Sequence, residues 1–83
     1  MNASQRSKQW QVMHYIYDTH DRKPGAGFPN ISDLGPIVGL GRLAVRRLID
    51  RCVHEKLAYL FASAADPCVG LTDAGRAFAR DGR

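Results

Sequence analysis

Eighty-three residues leave room for a single domain, 1–83, with one modest core. Apolar residues make up 45% and charged residues 24%, and no stretch is apolar enough for a membrane span or a secretory leader, so a cytoplasmic protein away from membranes is expected. Twelve Lys and Arg against eight Asp and Glu give a formal charge of +4, a mild excess that favours a polyanionic partner.

From about Ser7 to Thr19, Trp10, Met13, Ile16 and Tyr17 recur at helical spacing, which predicts an amphipathic first helix with both aromatics packed on the core. His14 and Asp18 lie four apart on it, but the spacing fits a surface pair better than a metal site, and neither metal nor other cofactor is expected. His20 to Gly27 is dense in charge, proline and glycine and reads as a loop. A short strand can follow around Phe28, held to an edge by Pro29.

Two starts fit the second helix. Asn30 can cap it, with Asp33 returning the bond; alternatively Gly35 caps and Pro36 takes the first helical position, which avoids an interior proline. Gly39 suits its end. After the tight turn Leu40-Gly41, a longer helix runs from Arg42 to about Lys56. Val45, Leu48, Ile49 and Cys52 form its apolar face, and Leu43, Arg46, Arg47, Asp50 and His54 its opposite one. Arg42 and Arg51 lie near the edges, and five basic residues fall against two acidic ones between Arg42 and Lys56.

Leu57 to Phe61 is a short apolar run suited to a buried strand, Ser63 to Pro67 a turn, and Cys68 to Leu71 the returning strand. Thr72 caps a last helix, Asp73 to Arg80, whose end charges complement its dipole. The order is helix, helix, helix, strand, strand, helix, without the crossover units of a parallel α/β fold.

Two segments then resemble a known group. Leu34…Gly39-Leu40-Gly41-Arg42…Val45-Arg46-Arg47-Leu48-Ile49-Asp50…His54-Glu55-Lys56-Leu57 is similar to the winged helix-turn-helix domains of MarR-, PadR- and ArsR-like transcription regulators. These tend to read Leu-Ala-x-x-x-Gly-Leu-Ser, a helix with Val-x-Arg-x-Leu, and a Glu-Gly-Leu-like exit. Leu71-Thr72-Asp73-Ala74-Gly75-Arg76 resembles their segment after the wing, and the likeness covers about residues 7 to 80.

The resemblance implies an α+β, mainly α, winged helix-turn-helix fold: three helices, a two-stranded hairpin wing and a C-terminal helix. It also implies a sequence-specific transcriptional regulator with the third helix in the major groove of double-stranded DNA. Arg46, then Arg42 and Arg47, would meet bases, Leu43 a thymine methyl, and Asp50 either a cytosine or Arg46. Arg51 and Lys56 would meet phosphates. The wing turn carries Asp66 and no basic residue, so Arg22 and Lys23, or Arg6 and Lys8, are expected to hold the backbone instead.

One helix covers few base pairs, so a homodimer on a palindrome is expected, with the first helix around Trp10 and the last around Phe78 as its surfaces. The rival is a protein-interaction module of the same fold with a protein partner and no DNA. An enzyme is not expected, because Ser63, His54 and Asp66 form no readable nucleophile–base set. Of the two cysteines, Cys52 belongs to the core face, whereas Cys68 on the hairpin is the accessible one.

Overall fold

The computed structural model describes residues 3–23 and 25–82. Helix α1 spans Ala3–Ile16 and continues without a break into a π-helical turn, Tyr17–Asp21. It begins four residues before the expected start. The wider turn closes when the Arg22 N–H donates to the Tyr17 carbonyl at 3.0 Å, and the Asp21 carboxylate is held by Arg76 Nε at 2.9 Å. That tie carries the helix into the charge-rich stretch that composition alone marks as loop. The buried stripe of α1 is Gln9, Val12, Met13 and Ile16, so Trp10 and Tyr17 stand half-buried on its flank.

Helix α2 is Ile31–Val38, with Asn30 as its cap and Pro36 inside it. The start at Asn30 is the correct one, and the start at Pro36 is overturned. The Asp33 carboxylate accepts from the Asn30 N–H at 3.0 Å, and Ile31, Leu34 and Val38 are buried. Pro36 is exposed. It removes one ladder bond and crowds the carbonyl four residues back, at a cost of about 3 kcal/mol. Burying three large aliphatic side chains at about 1.5–3 kcal/mol each outweighs that cost. Gly39 ends the helix in the left-handed region (φ 67°), which lets the Leu40 N–H return to the Gly35 carbonyl at 3.0 Å.

Helix α3 runs Arg42–His54 and buries Val45, Leu48, Ile49 and Cys52, the expected face. It stops two residues before the expected end, because Lys56 turns left-handed (φ 61°) and leads the chain into β1, Ala58–Phe61. Strand β2, Cys68–Leu71, pairs antiparallel with β1 in the register Ala58↔Leu71 to Phe61↔Cys68. The expectation of a buried first strand is corrected in part. Leu57 and Ala58 are buried, but Tyr59 and Phe61 are 44% and 39% exposed, because the outer face of the hairpin is covered only by the edge-on contact of Phe28 with Phe61.

The extended segment foreseen near Phe28 lies two residues later. The Ile31 N–H donates to Pro67 O at 3.0 Å and the Val69 N–H to Pro29 O at 2.9 Å, around a bridge between Asn30 and Cys68. The hairpin is thereby tied to the start of α2.

Helix α4, Asp73–Asp81, is capped by Thr72, whose hydroxyl oxygen accepts from the Gly75 N–H at 3.0 Å and donates to Lys56 O at 2.7 Å. Gly75 lies so close to β1 that a Cβ there would stand 1.9 Å from Leu57 O, and glycine is required. Helices α1 and α4 pack on each other, and Phe78 is 1% exposed beneath the Arg6 guanidinium. Phe78 therefore belongs to the core and cannot form a dimer surface, because the apolar stripe of α4 is spent on α1. The fold is a winged helix: four helices with a two-stranded antiparallel hairpin.

Candidate nucleic-acid interface

The residues expected to read bases all lie on α3, but they do not form one patch. With Val45, Leu48, Ile49 and Cys52 turned inward, the outward ridge carries Leu43, Arg47, Asp50 and His54, all exposed. Leu43 is 66% exposed, the largest value among the big apolar side chains of the described residues. Each side of the ridge borders a groove.

On the hairpin side, Arg42, Leu43 and Arg46 face Ser32 and Asp66. Arg46 Nε reaches Asp50 Oδ1 at 3.2 Å, the i,i+4 pair that the spacing suggests. The Asp66 carboxylate does not point away from the wing. It accepts from the Ser32 N–H at 3.1 Å and from the Ser32 hydroxyl, while the Asn30 amide donates to Asp66 O at 2.7 Å. Those Ser32 bonds, helped by Arg42 and Arg46, hold its carboxyl below the usual aspartate range.

On the other side, Arg47 and Arg51 face Lys8 of α1 across an apolar floor of Leu40, Ala44 and Leu48. Arg51 Nε lies 3.3 Å from Glu55 Oε2, and Arg6 lies 3.1 Å from Glu55 Oε1. Buried Gln9 completes this cluster, which sequence reasoning missed. Its amide nitrogen donates to Glu55 at 3.1 Å and to Cys52 Sγ at 3.6 Å, and its oxygen accepts from Arg6 at 3.0 Å. Burial alone would raise the Glu55 carboxyl, but the Gln9 and Arg51 hydrogen bonds and the charges of Arg6 and Arg51 outweigh it and lower it. The one available signal was a glutamine one turn before the apolar Met13 on the buried stripe.

The other expected phosphate contacts lie elsewhere. Arg22 pairs with Asp18 at 3.0 Å and lies over the Tyr17 ring, and Lys23 follows it. The turn they extend packs on α4 and β2. Lys56 is exposed just past the end of α3. His14 stacks on Trp10 at 4.7 Å, and among the described residues no three His, Cys, Asp or Glu side chains are grouped to hold a metal. No helix of the described residues is long and apolar enough to cross a membrane.

No family profile and no curated protein matches this chain. Solved structures do. The chain is similar to MepR, a transcription regulator of the Staphylococcus aureus multidrug efflux pump MepA, with 20% identity and a TM-score of 0.71 over 88% of this chain and 51% of that one. It is also similar to BpsR of Bordetella bronchiseptica, whose DNA binding is regulated by 6-hydroxynicotinic acid, with 21% identity and a TM-score of 0.66 over 98% of this chain and 55% of that one. The chain thus spans about half the length of these two regulators. Human N-acetylserotonin methyltransferase contains the same architecture over 27% of its length, with 13% identity, 93% of this chain covered and a TM-score of 0.60. These likenesses show the fold, a winged helix domain, which in MepR is part of a transcription regulator.

Proposed function

We propose that this chain is a sequence-specific double-stranded DNA-binding module of a transcription regulator, acting by occupancy with α3 in the major groove. The carrying observation is the outward ridge of α3. Its opposite face is locked into the core, so the ridge is presented rigidly, and at about 20 Å long it matches a helix lying in that groove. Arg42, Arg46 and Arg47 are the base-reading donors and Leu43 the apolar contact for a thymine methyl. Asp50 orients Arg46 or accepts from cytosine, and Arg51 and Lys56 meet phosphates. Arg22 and Lys23 are secondary backbone contacts. A cytoplasmic homodimer on a palindromic site completes the reading. The two regulators above support it by likeness of fold.

The second reading, a protein-interaction module, draws on the outer face of the hairpin. There Phe61 meets the Phe28 ring edge-on and the Tyr59 ring at a tilt, with ring centres 5.6 and 5.7 Å apart, and the wing turn carries no basic residue. The methyltransferase likeness shows that this fold also occurs within an enzyme chain.

Selection of bound fragments from random duplexes, followed by titration of Arg46→Ala and Arg47→Ala, separates the two. The regulator reading expects an enriched, symmetric motif. It also expects each variant to lose about 1–3 kcal/mol of binding and its preference at one position, with an unchanged melting temperature. No enrichment, or equal retention by both variants, overturns it.

A further inference from the structure

We propose that the groove between α1 and α3 is the seat of a DNA backbone phosphate, with Lys8 as its gripping residue beside Arg47 and Arg51; the proposal rests on the DNA-binding reading. A helix lying in a major groove has a sugar–phosphate strand on either side, and the two flanks of α3 are electrostatically unlike. The hairpin flank brings Arg42 and Arg46 against Asp66. The α1 flank is lined by Lys8, Arg47 and Arg51 with no carboxylate among its lining residues.

Lys8 and Arg47 form no ion pair among the described residues, so a phosphate held by those two breaks none, and Arg51 alone would share its charge between the phosphate and Glu55. Glu55 is shared between Arg6 and Arg51, which leaves the cluster cationic. Leu40, Ala44 and Leu48 make its floor apolar, and Gln5 is the one neutral polar side chain among its lining residues. Arg47 belongs both to this groove and to the ridge, so base reading and phosphate grip are continuous. Arg6, by contrast, is held by Glu55 and Gln9 and packs over Phe78, which makes Lys8 the better of the two α1 cations. The partner chemistry is a phosphodiester of duplex DNA, because one isolated anion would not need a groove that runs on into the ridge.

A phosphate grip is independent of sequence, so a long mixed-sequence duplex suffices as the probe. Affinity is measured against salt for the full chain and for Lys8→Ala, Lys8→Arg and, as an equal-charge control on α4, Arg80→Ala. Removing one phosphate contact lowers the slope of log affinity against log salt by about 0.9 and weakens binding about five- to tenfold near 0.1 M salt, with the difference closing toward 1 M. That result for Lys8→Ala, with recovery in Lys8→Arg and little change in Arg80→Ala, supports the seat. Equal slopes for Lys8→Ala and the parent, or an equal loss in Arg80→Ala, overturn it while the DNA reading stands. No binding by the parent even in dilute salt overturns the DNA reading itself. Thermal melts confirm that each variant is folded.

Discussion

At the level of single residues, burial decides chemistry more than residue type does. The two free cysteines show this. Cys52 is fully buried on the inner face of α3, and desolvation pushes its thiol up to about 12, despite the Gln9 amide that donates to the sulfur. The thiolate is the reactive species, so at pH 8 almost none of Cys52 is available. Cys68, beside the turn of the hairpin, is only half-buried. Titration of the native protein with an aromatic disulfide reagent is expected to modify one thiol per chain, at Cys68, with the second appearing only in denaturant. Two native thiols reacting at one rate would show that the Gln9–Cys52 contact opens readily. Gln9 itself illustrates a limit of pattern reading. Its position on the buried stripe was legible, but its partners come from 43 and 46 residues away, and no local period reports them.

At the level of elements, the parts legible in the sequence were those whose cause is local. The capping pair Asn30–Asp33, the left-handed Gly39, the cap at Thr72 and the apolar face of α3 all arise from neighbours within four residues. What failed depended on distant contacts. Asp21 stays helical because Arg76 holds it, and Phe78 disappears into the core because α1 covers it. Tyr59 and Phe61 stay partly open because, among the described residues, no helix covers the outer face of the hairpin and only Phe28 meets Phe61 edge-on. At the candidate site the exposed ridge was readable from helical spacing, whereas the sorting of its arginines into two grooves required α1 and the hairpin turn.

The exit of α3 yields a prediction at this scale. Lys56 occupies the left-handed region in Glu55-Lys56-Leu57, where the resembling domains tend to place glycine. The conformation is needed there, since it lets the Leu57 N–H reach back to the Cys52 carbonyl at 2.9 Å. A left-handed L-residue costs about 1–2 kcal/mol, and part of that gain is returned to the more flexible unfolded glycine. Lys56→Gly is therefore expected to stabilise the domain by about 0.5–1 kcal/mol, read as a melting temperature raised by several degrees. A lower melting temperature would show that the aliphatic stem of Lys56 contributes more than the strain costs.

For the whole molecule, the sign of the charge matters less than its side. The formal excess of +4 is modest for a DNA-binding domain, yet it is arranged so that the α1 flank of α3 is cationic and the hairpin flank is offset by Asp66. Asp66 serves two ends at once: its hydrogen bonds pin the wing turn to α2, and its charge opposes Arg42 and Arg46. Asp66→Asn separates them, because the amide oxygen still accepts from the Ser32 N–H and the amide nitrogen can donate to the Ser32 hydroxyl where the carboxylate accepted from it, while the charge is lost. A unit charge about 8 Å from a phosphate in water is worth about 0.5 kcal/mol, so a gain of about two- to threefold in duplex affinity at low salt is expected. The gain should fade as the Debye length shrinks with added salt. Asp66→Ala removes both features and is expected to cost stability as well. If Asp66→Asn instead binds DNA more weakly while melting like the parent, the carboxylate works by setting the angle of the wing against α3, and not by opposing Arg42 and Arg46.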